Sequence, residues 1–117
     1  MTGSTSGIGF ELAKLLYQHN GTVYVAARSR EKASVAMKVI ATMLPRSKGK
    51  IHFLYLDLAD LTGIKKSADE FIAQEARLDV LWNNAGVLNP PPGAKTVQVS
   101  HCIIFVDPLF FIYCFLD

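Results

Sequence analysis

Met1-Thr2-Gly3-Ser4-Thr5-Ser6-Gly7-Ile8-Gly9 opens the chain and places three glycines in nine residues. Glycine tolerates positive φ and leaves no Cβ in the way of a close approach. The next residues are helical in pattern: Ile8, Leu12, Leu15 and Leu16 share one face, while Glu11, Lys14 and Gln18 point elsewhere. A glycine turn feeding a helix N-terminus offers backbone N–H groups and the positive end of the helix dipole, which together favour a phosphate. The hydroxyls of Ser4, Thr5 and Ser6 add donors. The plainer alternative is a tight turn that only packs the helix.

Outward from the turn, strand and helix patterns alternate. Asn20-Gly21 reads as a helix stop through glycine in the left-handed conformation. Residues 22–27 form a short apolar, β-branched run, which predicts a buried strand. A second helix is predicted from about Ser29, as N-cap, to Leu44, with Pro45 after its end. Residues 51–57 read as a second strand, Asp60 or Thr62 opens a third helix running to about Ala76, and residues 78–83 read as a third strand. Such alternation indicates βαβ units and a parallel sheet covered on both faces. The order starts with a loop and helix, so the strand that normally leads into the turn is expected to be missing.

Three strand ends carry further chemistry. Arg28 follows the first strand, some 19 residues after Gly9, where a dinucleotide-binding sheet meets the adenosine ribose. An acid there would bond the 2′-hydroxyl; a guanidinium pairs with a 2′-phosphate. One charge-assisted hydrogen bond is worth about 1.5–3 kcal/mol, so Arg28 is expected to favour NADP over NAD by roughly 10- to 100-fold. An exposed strand-end base is the alternative. Asp57, with Leu58 beside it, ends the next strand and either accepts from an adenine amino group or serves as a helix-start acid. Asn83-Asn84-Ala85-Gly86 ends the third predicted strand. Its amides can bridge backbone groups, and Ala85 and Gly86 leave room for a ribose or nicotinamide.

Together, TGSTSGIG, Arg28 after a strand, LDLAD and NNAG resemble the short-chain dehydrogenase/reductase family, and VYVAARSREKA is similar to its NADP-preferring, retinol-dehydrogenase-like members. The resemblance covers about residues 2–98. It implies an α/β, Rossmann-type doubly wound parallel sheet of order 3-2-1-4-5-6-7, here partial, without the first strand and the catalytic half. It also implies hydride transfer between a nicotinamide cofactor and an alcohol or carbonyl. By match to the family, Gly3, Ser4, Ser6, Gly7, Ile8 and Gly9 form the pyrophosphate loop. Arg28 takes the 2′-phosphate of NADP, Asp57 and Leu58 the adenine side, and Asn84, Ala85 and Gly86 the cofactor-side turn. Asn83 matches the strand-stabilising asparagine.

The family's proton chemistry uses a tyrosine with a lysine four residues later. Tyr17, Tyr24, Tyr55 and Tyr113 are followed at that spacing by Gly21, Arg28, Ala59 and Asp117. No catalytic residue is therefore expected here. Nor is a metal, because His19, His52 and His101 are scattered.

Composition sets outer bounds. The chain has 117 residues, 50% of them apolar and 19% charged, enough for one globular domain. The net charge of +2 does not call for nucleic acid, although residues 28–50 hold seven bases and one acid, a solvated face or a local anion site. Cys102 and Cys114 without a signal peptide suggest a reducing, cytoplasmic compartment.

Beyond residue 98 the pattern departs from the family, after a stiff linker at 89–93. Residues 99–117 form a divergent hydrophobic tail with five of the chain's twelve aromatics. Its apolar run of 15 residues is interrupted by Asp107-Pro108, short of the roughly 20 that span a membrane. The expectation is the cofactor-binding portion of an NADP-dependent oxidoreductase, inactive alone. The alternatives are a non-catalytic NADP- or partner-binding module, completing its sheet with another subunit or its own tail, and a membrane-associated protein held by that tail.

Overall fold

In the computed structural model, which describes residues 1–86, three helices flank a small parallel sheet. The elements are α1 (Gly7–Gln18), β1 (Thr22–Ala27), α2 (Arg30–Met43), β2 (Lys50–Tyr55) and, after a single 3-10 turn at Leu61–Gly63, α3 (Ile64–Gln74). The linker at 89–93 and the tail at 99–117, with the membrane reading that rested on it, lie outside the described residues. None of the described helices is long and apolar enough to cross a membrane.

Local chemistry sets most boundaries. The Ser29 hydroxyl accepts from Lys32 N–H at 3.2 Å and caps α2. Asp60, of the two candidates, starts the third helical segment, accepting from the Thr62 N–H at 3.0 Å. At the end of α1 the left-handed residue is Asn20 (φ 64°), not the expected Gly21. Asparagine tolerates that region when its side chain has a partner, and Asn20 Oδ1 accepts from Lys48 N–H at 2.8 Å.

β1 and β2 pair in parallel from Thr22–Lys50 to Ala27–Tyr55 through the α2 crossover. The sheet is covered on both sides, as near-continuous burial along β1 requires. Tyr24 and Ala26 pack with Leu54, Leu56, Ile64 and Phe71 on the α3 side. Val23 packs with Ala13 and Ile40 on the α1 and α2 side. Tyr24 is the hub of the first layer: its ring meets Phe71 edge-on at 4.9 Å, and its hydroxyl donates to Glu75 Oε1 at 2.9 Å.

Among the described residues, the other edge of β1 is met by two, Met1 and Thr2. The Met1 amino group donates to Tyr24 O, Ala26 N–H donates to Met1 O, both at 3.0 Å, and Thr2 forms a parallel bridge with Ala26. On its far side Thr2 N–H donates to Trp82 O at 3.0 Å. The lateral order is therefore β2, β1, Met1–Thr2, residues 82–84, consistent with the expected 3-2-1-4 sequence. Residues 78–83 do not form the third strand read from their apolar pattern. A ladder needs successive bonded partners, and within the described residues Thr2 alone reaches this segment by backbone pairing.

These contacts lead to two expected outcomes. Burial, with the Glu75 hydrogen bond and charge, raises the Tyr24 hydroxyl from the ordinary 10.0 to about 12. A raised folded-state value makes ionisation favour the unfolded chain, so stability held below pH 10 should fall as pH rises toward 12. Thermal melts at pH 9 and pH 11.5 should show a larger loss for the native chain than for Tyr24→Phe; equal losses would exclude Tyr24 as the source. Thr2→Val should cost about 1–3 kcal/mol, because Thr2 is 3% exposed and its hydroxyl accepts two backbone N–H groups, Asn84 at 3.1 Å and Ala85 at 3.0 Å. Denaturant titration measures that loss, and Thr2→Ser should recover most of it.

Candidate cofactor site

The glycine turn forms because its backbone enters the left-handed region twice, at Gly3 (φ 66°) and Gly7 (φ 58°). A Cβ on Gly3 would lie 2.9 Å from Ala85 Cα, and one on Gly9 would lie 2.2 Å from Gly3 O and 2.5 Å from Asn84 Nδ2. These two glycines thus close the turn against the Asn84-Ala85 segment. Gly7 differs, since a Cβ there would meet nothing within 4 Å. The turn has a packed side at Gly3 and Gly9 and an open side at Gly7.

Asn84 locks the two segments together. Its Nδ2 donates to Thr2 O at 3.3 Å and Gly3 O at 3.2 Å, while its own N–H donates to the Thr2 hydroxyl. The bridging expected of the asparagine pair is therefore made by Asn84. Asn83 is exposed and has no hydrogen bond among the described residues. Ala85 lies against Gly3, and Gly86 is next to it at the exposed rim.

The serines divide in role. Ser4 is fully buried, and its hydroxyl donates to Met1 O at 3.4 Å, so that hydroxyl is turned into the protein. Ser6 is the exposed N-cap of α1 and makes no side-chain capping bond. Ile8 stands 81% exposed on the first helical turn, an apolar side chain left in the open beside the N–H groups of Gly7, Ile8 and Gly9. Burial of Ile8 in the α1 core face, expected from helical spacing, is not observed. The packed face of α1 is centred on Gly9 and Ala13, with Phe10, Leu16 and Tyr17 against the core, so Ile8 and the exposed Leu15 lie on the other side of the helix.

Arg28 lies exposed at the end of β1, with no ion pair among the described residues. The neighbouring Arg30 sits over the Phe53 ring at 4.5 Å. Glu31, three residues on, accepts from the Ser29 hydroxyl at 2.9 Å. Hydrogen bonding from its own backbone, then from Ser29, holds the exposed Glu31 carboxyl below its usual range.

At the end of β2, Asp57 Oδ1 accepts from Ala59 N–H at 2.9 Å, a local turn bond. Asp60 supplies the helical cap, so the helix-start role read as an alternative for Asp57 belongs to Asp60. Asp57 has a second carboxylate oxygen, and Leu58 packs under the turn on the α3-side core.

Thr2 is the residue whose part the sequence pattern does not announce. In one dimension it is only the lead-in to the glycines, yet it joins β1, Trp82, Asn84 and Ala85. Its threonine side chain just ahead of the first glycine is the available signal. No cluster of histidine, cysteine and acidic side chains able to hold a metal occurs among the described residues.

Comparison with known proteins agrees with this geometry. A family model described as short chain dehydrogenase matches residues 1–102. Short-chain dehydrogenase/reductases of Emericella nidulans and Phomopsis amygdali are 51% and 54% identical over 98 residues, 84% of this chain. The chain spans about a third of the length of these curated relatives, 31% and 29%. Among solved structures, a metagenomic short-chain oxidoreductase in complex with NADP aligns at TM-score 0.65 and 32% identity, over 74% of this chain and 37% of that one. An NADPH-bound short-chain oxidoreductase from Pseudomonas aeruginosa aligns at TM-score 0.63 and 26% identity, over 74% and 33%. A glycine turn tied by Thr2 and Asn84 to the end of a parallel, two-sided sheet, matched over most of its length, makes this chain a member of the short-chain dehydrogenase family of oxidoreductases.

Proposed function

We propose that this chain is the NADP-binding portion of a short-chain oxidoreductase and does not turn over a substrate by itself. The observation that carries the reading is the meeting of the glycine turn, the Asn84-Ala85 segment and the exposed Arg28 around the ends of adjacent strands. The NADP and NADPH complexes of the similar oxidoreductases point the same way.

The residues present fit a dinucleotide. The open side at Gly7 leaves the N–H groups that begin α1 accessible to a pyrophosphate, and the uncommitted Ser6 hydroxyl adds a donor. Arg28 would pair with a 2′-phosphate; with Arg30 held on Phe53, it is the guanidinium left for that role. The second oxygen of Asp57 would accept from an adenine amino group, with Leu58 supporting the turn. Ala85 and Gly86 would border the nicotinamide ribose, and Asn84 would keep that border fixed through its bonds to Thr2 and Gly3. When bound, the cofactor supplies or accepts hydride. Proton transfer to or from the substrate oxygen needs a positioned acid. Tyr24, whose hydroxyl is already bonded to Glu75, is not one, and no tyrosine of the sequence has a lysine four residues on.

Two measurements test this reading. Calorimetric titration should give tighter binding of NADP than of NAD, and Arg28→Asp should remove that preference by roughly 10- to 100-fold. An unchanged ratio in the variant would dismiss Arg28 as the 2′-phosphate partner. The purified 117-residue chain mixed with NADPH and a range of aldehydes and ketones should show no absorbance loss at 340 nm above the blank; substrate-dependent NADPH oxidation would overturn the inactive assignment.

A further inference from the structure

The cofactor reading leaves most of the basic run at 28–50 unused, and the fold gives that run a common place with an apolar stripe. α2 sits on the sheet through Ala33, Ala36 and Ile40, all buried. Its outward side is not uniformly polar: Val35, Val39 and Met43 are 63%, 42% and 57% exposed. Residues four apart stand one above the next on a helix, so these three make one stripe about 12 Å long. Lys32 and Lys38 are exposed on the same helix, and Arg46, Lys48 and Lys50, just past its end, are exposed too. The one acid within residues 28–50 is Glu31, whose carboxylate accepts from the Ser29 hydroxyl. On α1, in the same layer, Glu11 is paired with Lys14. Asp69, Glu70 and Glu75 belong to α3 and its C-cap, which pack on the other face of the sheet. α2 covers β1 and β2, the end of the lateral order away from Thr2 and residues 82–84.

We propose that the outward face of α2 docks reversibly on an anionic lipid surface. Val35, Val39 and Met43 enter the boundary between headgroups and acyl chains, and Lys32, Lys38 and Arg46 reach the lipid phosphates. Charge selects this occupant over a second copy of the chain, which would set the same bases against each other. The stripe selects it over a nucleic acid, whose phosphates would use the bases and leave three apolar side chains in water. A protein groove that takes a helix must enclose much of its circumference, and Ala33, Ala36 and Ile40 keep half of α2 on the sheet. A lipid surface needs only the outward half. Lysine and arginine stems can lie along the apolar boundary while their charged ends stay at the headgroups. The face uses neither Arg28 nor the glycine turn, so it stands apart from the cofactor reading.

The test is flotation of the full 117-residue chain with lipid vesicles. Vesicles of phosphatidylcholine and phosphatidylserine at roughly 3:1 should carry the chain at least about fivefold better than phosphatidylcholine alone, and the difference should shrink as salt is raised from about 0.05 to about 0.5 M. Lys32→Glu combined with Lys38→Glu should weaken binding to the anionic vesicles at least about tenfold. Val35→Ser combined with Met43→Ser should weaken it about tenfold as well. Both pairs alter exposed side chains, so the melting temperature of the free chain should not change. Equal binding to the two kinds of vesicle would sink the proposal. So would binding that ignores both pairs of substitutions, as binding through residues 99–117 would, or that responds to the lysines alone and leaves the stripe without a part. Retention on immobilised polyglutamate or duplex DNA without vesicle binding would also overturn it, and would give the face to an acidic protein or a nucleic acid.

Discussion

Everything around the site hangs on the pairing of Thr2. Its backbone joins β1 to Trp82, and its hydroxyl accepts from two successive N–H groups, Asn84 and Ala85. In a buried position each of these bonds replaces water that is no longer available, so an unpaired group would be costly. The glycine turn begins one residue later. Its distance from the Asn84-Ala85 segment is therefore set by the same residue that sets the width of the sheet.

Around that joint the fold separates packing from binding. Gly3 and Gly9 serve close approach within the protein, because the space a Cβ would need is taken by Asn84, Ala85 and Gly3 itself. Gly7 faces open space. Ser4 is turned inward and Ser6 outward. The basic run resolves in the same way. Arg30 is spent on Phe53 and Ser29 on the cap of α2, which leaves Arg28 exposed at the strand end. A motif that looks uniform in one dimension becomes a set of structural and solvent-facing positions in three.

Much of this is legible in the sequence because it depends on local rules. The first strand reads at residues 22–27, where it is observed, since a β-branched apolar run between Asn20-Gly21 and Arg28-Ser29 has little other choice. The α2 cap at Ser29 rests on side-chain chemistry within three residues. The segment at 78–83 defeats the same reading. Its apolar alternation is suited to a strand, but strand structure requires neighbours, and only Thr2 bonds to its backbone among the described residues. Ile8 differs from expectation for another reason: the face of α1 that packs is centred on the small residues Gly9 and Ala13, which an apolar pattern does not mark.

The sequence by itself determined the glycine turn, the alternation of strands with helices, the guanidinium after β1 and the want of a tyrosine–lysine pair. Each is a matter of residue type and spacing along the chain. Only the tertiary structure decided that Thr2 is the joint, that Asn84 and not Asn83 makes the bridge, and that Tyr24 ties β1 to Glu75 at the end of α3. These contacts join residues about 50 to 80 positions apart, and no local preference records which distant backbone will arrive opposite a given side chain.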